Sequence, residues 1–223
     1  MQNLPLILAS TSPRRRELVT LFGLDFNFIS ADIDESPRAG ELPDKLVWRL
    51  SRAKVASGVR DAKQTDTSII GTDTVVSLDG AILGKPADAD DATRMLTLLR
   101  GRAHTVYSGI TVAQGARQIT QIATTTVWMR DYADAEIAAY VATGDSLDKA
   151  AAYAIQHRAF RPVARIDGCY ANVMGLPLCH LYRALKAFAV AVDEPDRACQ
   201  AHLRIVCPVA REILSEPLQT RDY

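Results

Sequence analysis

The stretch SIIGTDTVVSLDGAILGKP, residues 68–86, has the pattern of two β-strands joined by a tight turn. Its β-branched residues are bounded by glycine and by the turn dipeptide Asp79-Gly80, a combination typical of a hairpin. Asp73 lies inside the first predicted strand, where a carboxylate is costly to bury unless it is paired or coordinates a cation. Lys85 follows across the turn. We predict that Asp73 and Lys85 belong to one metal-assisted, phosphate-binding site; the alternative is an Asp that makes local backbone hydrogen bonds.

The charge balance and the length bound the class of protein. Lys and Arg total 26 and Asp and Glu total 26 in 223 residues, so the formal net charge is zero. Proteins that bind nucleic acid or membrane surfaces usually carry a basic bias, so we expect neither partner here. A small anionic ligand held by a few basic side chains is compatible with this balance. The length suits one large domain or two small lobes.

Cysteine usage and the N-terminal sequence favour a cytoplasmic protein. The four cysteines are scattered, and no pair has the C-x-x-C spacing of a zinc or redox site. The first basic residues follow the first apolar run instead of preceding it, unlike those of a secretory signal. No apolar run approaches the roughly 20 residues of a membrane span. We therefore expect a protein of a reducing compartment, located in the cytoplasm.

The N-terminal segment predicts a strand, a hydroxyl-rich turn and a helix that carries arginines. Residues 4–9 form an apolar run typical of a buried strand. Ser12 before Pro13 is a strong helix-start signal, and Gly23 suits the position just after that helix. A second strand is predicted over 25–31, followed by a polar loop.

Hairpins and helical crossovers are mixed along the chain, which predicts an α/β protein with a mixed sheet. Helices are expected over 43–62, from a cap at Asp88 or Asp90 to 99, over 134–141 and over 176–192; strands are expected over 105–112, 118–129 and 163–170. The run at 149–155 fits either a helix or a strand. After Asp193 the composition changes: 194–196 reads as a linker, and 202–206 and 209–214 have short helical patterns.

The turn after the first strand is a candidate anion site. Ser10, Thr11 and Ser12 offer hydroxyl donors, and the free N–H groups at the helix start point at the same turn. Arg14 can grip two phosphate oxygens at once. The alternative is a well-capped surface helix whose arginines are solvated. The Gly-x-x-x-x-Gly-Lys spacing of a P-loop is absent from the sequence.

Acidic residues after the second predicted strand are candidate metal ligands. Asp32, Asp34 and Glu35 lie on one loop, and clustered carboxylates suit Mg²⁺, which prefers oxygen ligands. An exposed polar loop is the alternative. Lys54 is likewise either a phosphate ligand or a solvated lysine. The four histidines have no metal-ligand spacing, and no Gly-x-Ser-x-Gly elbow supports serine-based catalysis.

Six stretches of the chain occur in an order that marks one protein family. They are LILASTSPRRREL (6–18), LSRAKV (50–55), IIGTDTVV with GAILGKP (69–86), MLTLLRGRAHTVYSG (95–109), LDKAAAYAIQ (147–156) and IDGCYANVMGLPL (166–178). Together they resemble the Maf family of nucleoside triphosphate pyrophosphatases over about residues 4–190. Six collinear motifs are far more specific than any one of them alone.

The resemblance implies a two-lobed α/β fold with an elongated mixed β-sheet, flanking helices and a cleft between the lobes. It implies hydrolysis of a nucleoside triphosphate to the monophosphate and pyrophosphate, with Mg²⁺ or Mn²⁺, by a homodimer. Asp73 stands where the family has its catalytic acceptor. Combined with the local patterns, the resemblance implies these substrate-binding residues: Ser10, Ser12, Arg14, Lys54, Thr74, Lys85 and Gln156. It implies Asp34, Glu35 and Asp73 as metal ligands.

The segment 148–156 resembles the subgroup that prefers dTTP and UTP, with Arg14, Thr74 and Gln156 as its specificity positions. A glutamine amide offers a donor and an acceptor, which match the N3–H and carbonyl edge of thymine or uracil. Ala151 replaces a glycine of the family motif, a change that is harmless only if φ at this position is negative. We expect this departure to affect substrate preference more than catalysis.

Residues 1–193 are predicted to form the Maf-like domain, and 194–223 an extension of unknown role. One alternative to dTTP and UTP hydrolysis is the same reaction on another base, such as that of 7-methyl-GTP or an ITP-like nucleotide. A second is a nucleotide-binding regulator of cell division without significant turnover. A generic phosphatase is a third, and it would release phosphate in place of pyrophosphate.

Overall fold

The computed structural model describes residues 5–61 and 67–218, and within them a seven-stranded mixed sheet is flanked by helices. The strands are β1 (Leu6–Ala9), β2 (Phe26–Ile29), β3 (Ser68–Leu78), β4 (Ala81–Leu83), β5 (Ala103–Gln114), β6 (Arg117–Met129) and β7 (Val163–Asp167). The helices are α1 (Pro13–Val19), α2 (Pro43–Asp61), α3 (Ala89–Leu99), α4 (Asp134–Val141), α5 (Tyr170–Met174), α6 (Leu178–Ala187), α7 (Asp196–Leu203) and α8 (Ala210–Ser215). The predicted α/β fold with a mixed sheet is confirmed.

The sheet changes from parallel to antiparallel at β3. β1 pairs in parallel with β2 and with β3, whereas β3, β5, β6 and β7 pair as antiparallel neighbours. The strand order is β2-β1-β3-β5-β6-β7, with β4 added to β3. β3 is therefore the central strand of the fold, which agrees with the long apolar and β-branched run from which it was predicted.

One edge of β3 is left open in its middle. Because β5 pairs with the other edge from Ile69 to Ser77, β1 and β4 must share this one. β1 pairs with Ser68–Gly71 and β4 pairs with Val76–Leu78. Among the described residues, Thr72–Val75 therefore have no strand partner on this edge. The opening lies beyond the carboxyl end of β1, where open α/β sheets commonly bind ligands.

Helix α2 lies against one face of β3 and β5 because two glycines allow a close approach. A Cβ atom at Gly71 or at Gly109 would lie 2.2 Å from a backbone oxygen of α2. No side chain fits at such a distance, so both positions require glycine. Gly109 is the cross-strand partner of Asp73. The close approach therefore brings the side chains of α2 within reach of Asp73.

Two hydrophobic cores lie on either side of the opening. The first combines β1, α1, α5 and α6 with the middle of the sheet, and its buried members include Leu8, Leu18, Ile110, Leu176 and Leu181. The second combines the end of β3 with α3, α4 and the start of β5, and its buried members include Val76, Leu96, Val106, Ile137 and Phe160. The burial of these apolar side chains stabilises the protein on both sides of the cavity described below.

Local sequence signals placed most elements correctly. Ser12 is the N-cap of α1, and Gly23 follows the 3-10 turn Thr20–Phe22 with a φ of +64°. β3 and β4 form the predicted hairpin, and α4 has the predicted bounds. The predicted end positions Leu4 and Ala62, next to β1 and α2, lie outside the described residues.

The helix predicted over 176–192 is confirmed as α6, which is shorter than predicted and ends at Ala187. The structure has two helices, α5 and α6, on either side of a break at Gly175, whose φ is +107°. Pro177 is the N-cap of α6, because proline has no N–H and suits a helix start better than its interior. β7 ends at Asp167, before the predicted end of its strand, and the chain then turns into α5.

The run at 149–155 contains the 3-10 turn Ala150–Ala152 in place of a regular helix or strand. Ala151 has a φ of +56° and Ala152 a φ of +60°. This left-handed region costs an L-residue other than glycine roughly 1–2 kcal/mol. The negative φ that would make alanine harmless at position 151 is therefore not observed. The Ala151 amide donates to the Gly84 carbonyl at 2.8 Å, which fixes the turn beside the β4 loop.

Two predictions after Asp193 are corrected. The linker predicted over 194–196 is confirmed at 194 and 195, which lie outside helices and strands, but Asp196 is the first residue of α7. The helical pattern over 202–206 is wrong beyond Leu203, where α7 ends in a left-handed residue. The helix predicted over 209–214 is confirmed as α8. Residues 219–223 of the predicted extension lie outside the described residues.

The C-terminal helices pack onto the rest of the chain. Cys199 of α7 is buried in the first core, and His202 Nε2 lies 2.8 Å from Glu17 Oε1 of α1. Arg183 of α6 contacts Glu216 at 3.7 Å. Within the described ranges, no helix has the length and apolarity that crossing a membrane requires.

Candidate active site

The opening on β3 leads into a cavity of about 350 Å³. Its walls come from the turn after β1, the start of α1, the middle of β3, the loop after β4 and the segment 148–156. The predicted site residues that line it are Ser10, Ser12, Arg14, Glu35, Lys54, Asp73, Thr74, Lys85 and Gln156. Asp34 is not among the described residues that line the cavity; its exposed carboxylate accepts a hydrogen bond from the Ser36 amide at 2.9 Å.

A buried charged group forms the centre of the site. Lys54 Nζ lies 2.6 Å from Asp73 Oδ1 and 2.6 Å from Glu35 Oε1. Lys54 and Asp73 are each 6% exposed, whereas the Glu35 side chain is about half exposed. Lys54 is therefore not the solvated lysine considered as an alternative. The contact between Lys54 and Asp73 satisfies the requirement that a buried carboxylate be paired.

The charges around Glu35 decide its protonation. Burial raises the pKa of the Glu35 carboxyl, but Lys54 and, more distantly, Lys85 and Arg15 outweigh it, so the pKa lies below its ordinary value. Glu35 is therefore ionised at neutral pH. Two carboxylates and one ammonium leave one net negative charge at the centre, surrounded by cationic side chains that suit the oxygens of a polyphosphate.

The donor set of this centre fits a hard divalent cation with few protein ligands. Glu35 and Asp73 each lie 2.6 Å from Lys54 Nζ, so two carboxylates stand beside each other in the cavity lining. Among the described residues, no group of three or more acidic, histidine or cysteine side chains forms a complete metal cage. Mg²⁺ is commonly held by one or two carboxylates, with water and substrate phosphate completing its shell.

Arg15 is the functional residue that sequence reasoning missed. Its Nε donates to the Gly175 carbonyl at 2.9 Å, its Nη1 donates to the Thr72 carbonyl at 3.1 Å, and its Nη2 donates to Thr74 Oγ1 at 3.1 Å. Burial lowers the pKa of Arg15, and the nearby carboxylates of Asp73 and Glu35 oppose that effect. The guanidinium stays charged, because an arginine side chain is not deprotonated in proteins.

The arginine pair at the start of α1 divides between two parts of the cavity. Arg15 points inward to β3, whereas Arg14 Nη1 reaches Asp148 Oδ2 at 3.1 Å on the segment 148–156. Lys149 Nζ bonds the other oxygen of Asp148 at 2.6 Å. Adjacent helix positions point roughly 100° apart, so the sequence could not tell which arginine would face the strand.

The hydroxyl-rich turn lies at the base of this arginine pair. Ser10 Oγ accepts a hydrogen bond from the Ser12 amide at 3.2 Å, and Arg15 Nη1 lies 3.5 Å from the same oxygen. Within the described residues, the Ser12 side chain makes no capping hydrogen bond to α1. Its hydroxyl and the free amides of the first helical turn therefore remain as donors for an anion.

Comparisons with known proteins identify the family of the chain. The model of the family described as "Maf-like protein" matches residues 5–188. A protein of Pelotomaculum thermopropionicum named dTTP/UTP pyrophosphatase is 43% identical over 189 residues, covering 84% of this chain and 98% of that protein. A protein of the same name from Geotalea uraniireducens is 45% identical over 183 residues, covering 81% of this chain and 93% of that protein.

A more distant likeness is to a solved nucleoside-triphosphatase, or dITP/XTP pyrophosphatase, of Mycobacterium abscessus. Its TM-score is 0.38 at 14% identity, over 58% of this chain and 76% of that one. The family model, in contrast, covers the strands, helices and loops that form the cavity. The relatives match at more than 40% identity over nearly their whole length. This chain belongs to the Maf family.

Proposed function

We propose that this chain is a nucleoside triphosphate pyrophosphatase that hydrolyses dTTP and UTP to the monophosphate and pyrophosphate. The observation that carries the proposal is the buried Asp73–Lys54–Glu35 group, which faces a cavity also lined by Arg14, Arg15 and Lys85. This arrangement offers a proton acceptor and several phosphate-binding cations in one place. The names of the relatives support dTTP and UTP as the substrates.

The chemical step requires a water molecule, an acceptor for its proton and stabilisation of the leaving group. Asp73 accepts the proton as the water oxygen bonds to the α-phosphorus. The bond from this phosphorus to the bridging oxygen breaks, and pyrophosphate leaves. Lys54 holds Asp73 Oδ1 at 2.6 Å, which leaves the second carboxylate oxygen for the water. Positioning and charge stabilisation carry most of the catalysis in such reactions.

Cationic side chains hold the triphosphate and its leaving group. Arg15 and Lys85 line the cavity near the charged centre, and Arg14 lies at its mouth. A bound Mg²⁺ or Mn²⁺ would be held by Glu35 and Asp73 and would neutralise part of the phosphate charge. Asp34 is too exposed and too differently directed to be proposed as a ligand of the same ion.

Base selection is assigned to the other end of the cavity. Gln156 lines the wall formed by 148–156, on the side where Arg14 meets Asp148. Its amide offers one donor group and one acceptor group, which match the N3–H and a carbonyl of thymine or uracil. The left-handed Ala151 lies in the same segment, so its effect is expected on the shape of the base pocket.

We also propose which residues form the catalytic unit, how the enzyme assembles and where it is located. Residues 1–193 are proposed as the catalytic unit, because the family match ends at residue 188, and 194–223 as an added segment. Following the family resemblance, we propose a cytoplasmic homodimer whose partner is the nucleotide substrate, without nucleic acid or membrane. Light scattering on an eluting size-exclusion peak measures the mass of the assembly and would reject the dimer if it gave one chain.

Turnover of a nucleotide panel tests the function. The wild-type protein with Mg²⁺ or Mn²⁺ is expected to release pyrophosphate, not phosphate, from dTTP and UTP in preference to CTP, GTP, ITP and 7-methyl-GTP. Asp73→Asn is expected to lower kcat by roughly 10²–10⁴-fold, the usual contribution of a general base. Near-normal turnover by Asp73→Asn would refute the assigned role. Tight nucleotide binding without any turnover would support a regulator instead.

A further inference from the structure

The Thr74 hydroxyl is part of a hydrogen-bonded chain that runs from the cavity into the core. Arg15 Nη2 lies 3.1 Å from Thr74 Oγ1, and Thr74 Oγ1 lies 2.7 Å from Ser108 Oγ. Ser108 Oγ in turn lies 3.5 Å from the carbonyl oxygen of Asn172. Ser108 is fully buried on β5, as the cross-strand partner of Thr74. The chain therefore connects a cavity arginine with Ser108, a buried side chain that does not itself line the cavity.

The donors and acceptors available limit what the Thr74 proton can do. Arg15 can only donate, so the Thr74 oxygen accepts from it. Either hydroxyl can be the donor between Thr74 and Ser108. If Thr74 donates, its proton goes to Ser108 Oγ at 2.7 Å, and Ser108 donates to the Asn172 carbonyl at 3.5 Å. If Ser108 donates, the Thr74 proton goes to the Gly175 carbonyl at 3.4 Å. Thr74 consequently has no proton left with which to donate a hydrogen bond to a nucleotide base.

Arg15 is held in place by four acceptors. Beside Thr74 these are the Gly175 carbonyl, the Thr72 carbonyl and Ser10 Oγ, at 2.9, 3.1 and 3.5 Å. They engage Nε and both terminal nitrogens, so the plane of the guanidinium is fixed. Among the described residues, Thr74 is the one that accepts a hydrogen bond from Arg15 Nη2. Without its oxygen, one end of the guanidinium loses its restraint beside the ligand space.

Gly175 also helps to hold the Arg15 guanidinium in place. Its φ of +107° suits glycine alone, and a Cβ atom there would lie 3.3 Å from Arg15 Nε and 3.5 Å from Thr74 Oγ1. The break between α5 and α6 thus brings a backbone carbonyl against the guanidinium without a side chain in the way. β3, the turn after β1 and this break therefore all contact Arg15, and β5 contacts it only through Thr74.

We propose that Thr74 and Ser108 are positioning residues that act on the nucleotide through Arg15, and that Thr74 does not select the base by direct contact. The proposal rests on the proposed function, because it concerns how that site binds its triphosphate. It assigns Ser108, which lies outside the cavity lining, a part in activity. It also moves Thr74 from the recognition of the base to the orientation of a phosphate-binding side chain.

The substitution that tests the proposal is Thr74→Val, which keeps the volume of the side chain and removes the hydroxyl. Loss of one hydrogen bond to a charged group is expected to lower kcat/KM roughly 10- to 100-fold. The loss should be equal for dTTP, UTP and CTP, so the ratios between bases stay unchanged. Ser108→Ala should give a smaller loss in the same direction, and Thr74→Ser should restore kcat/KM to within about threefold of wild type.

A matched control separates this effect from general damage to the sheet. Thr111 of β5 is fully buried, and its hydroxyl bonds Ser51 Oγ and Thr120 Oγ1, each at 2.9 Å, away from the cavity. Thr111→Val therefore removes a comparable buried hydroxyl from the same strand as Ser108. It is expected to change kcat/KM less than twofold while lowering the melting temperature about as much as Thr74→Val.

A double-mutant cycle with Arg15→Ala tests whether Thr74 acts through Arg15. If Thr74 acts through Arg15, adding Thr74→Val to Arg15→Ala lowers kcat/KM no further. Additive losses, or a change in the dTTP to CTP ratio in Thr74→Val alone, would overturn the inference.

The proposed function is tested separately, by measuring pyrophosphate release by the wild-type protein. If the wild type releases none, the same cycle is measured by calorimetry as binding of α,β-methylene-dTTP, a non-hydrolysable analogue. Coupled losses of affinity would then uphold the inference without the enzyme function. Absence of binding would overturn both.

Discussion

Replacing Lys54 with methionine is predicted to destabilise the protein far more than replacing Asp73 with asparagine. Methionine keeps the length and the apolar stem of the lysine but removes the ammonium. Lys54→Met leaves two carboxylates facing each other, one of them 6% exposed. Asp73→Asn leaves Lys54 with Glu35 at 2.6 Å and replaces the carboxylate by a neutral amide that still accepts a hydrogen bond. The two variants therefore differ in the charge that they leave buried.

The magnitude follows from which contact is buried. The side chains of Lys54 and Asp73 are 8% and 9% exposed, so this is a buried pair, and removing one partner of such a pair costs roughly 3–5 kcal/mol. Glu35, with 54% of its side chain exposed, can turn to water in Lys54→Met, whereas in Asp73→Asn it remains as the partner of the Lys54 ammonium. For a chain of this size, 1 kcal/mol shifts the melting temperature by about 2–4 °C, which gives a loss of about 6–20 °C for Lys54→Met.

Urea unfolding, followed by the fluorescence of Trp48 and Trp128, measures both variants under the same conditions. Asp73→Asn is expected to lose about 1 kcal/mol, or to gain a little, while losing turnover. The pairing account fails if Lys54→Met unfolds within 1 kcal/mol of wild type, or if Asp73→Asn loses as much as Lys54→Met. Mg²⁺ or Mn²⁺ should raise the melting temperature of Lys54→Met more than that of wild type, because the cation then neutralises the paired carboxylates.

Three further predictions concern other parts of the chain. Ala151→Gly relieves a left-handed alanine, so it should be less destabilising than Ala150→Gly, at a position without positive φ, by about 1–2 kcal/mol in urea unfolding. Burial lowers the pKa of His104 to about 4, so the stability that its neutral form contributes is present above pH 6.5 and is lost as the pH falls towards 4. His104→Gln, which can still bond the Tyr153 hydroxyl, should lose about 2 kcal/mol less than wild type between pH 7.5 and pH 5, and an equal loss would contradict the assignment. Truncation after Asp193 should lower the melting temperature by exposing the first core under α7, and an unchanged melting curve would show that the extension adds no stability.

The parts of the fold with local determinants could be predicted from the sequence. Ser12-Pro13 fixes a helix start through backbone geometry that needs no distant partner. Asp79-Gly80 fixes a turn for the same reason, and the strands on either side follow from their composition. The start of α6 was predicted for a local reason as well, because Pro177 suits a helix start. The short helix α5, which ends at the left-handed Gly175, was not predicted.

The site needed tertiary information that no local pattern carries. Lys54 looks like an ordinary solvated lysine until the glycines of β3 and β5 bring α2 onto the sheet. The removal of Asp34 from the cavity depends on a short turn with Ser36, which competes with any metal ion for the same oxygen. The family resemblance did place Asp73, Arg14 and most of the lining, because motif order carries information that single residues do not.

Arg15 shows how the fold and the site depend on each other. Between β1 and β4, the open edge of β3 presents the Thr72 carbonyl, and a buried carbonyl needs a hydrogen-bond donor. Arg15 Nη1 supplies that donor at 3.1 Å, in the role that the amide of a neighbouring strand would otherwise play. The gap that makes room for a ligand is thus stabilised by a charge that the ligand's phosphates attract. In the proposed function, the same side chain therefore both completes the open edge of the sheet and binds the phosphates.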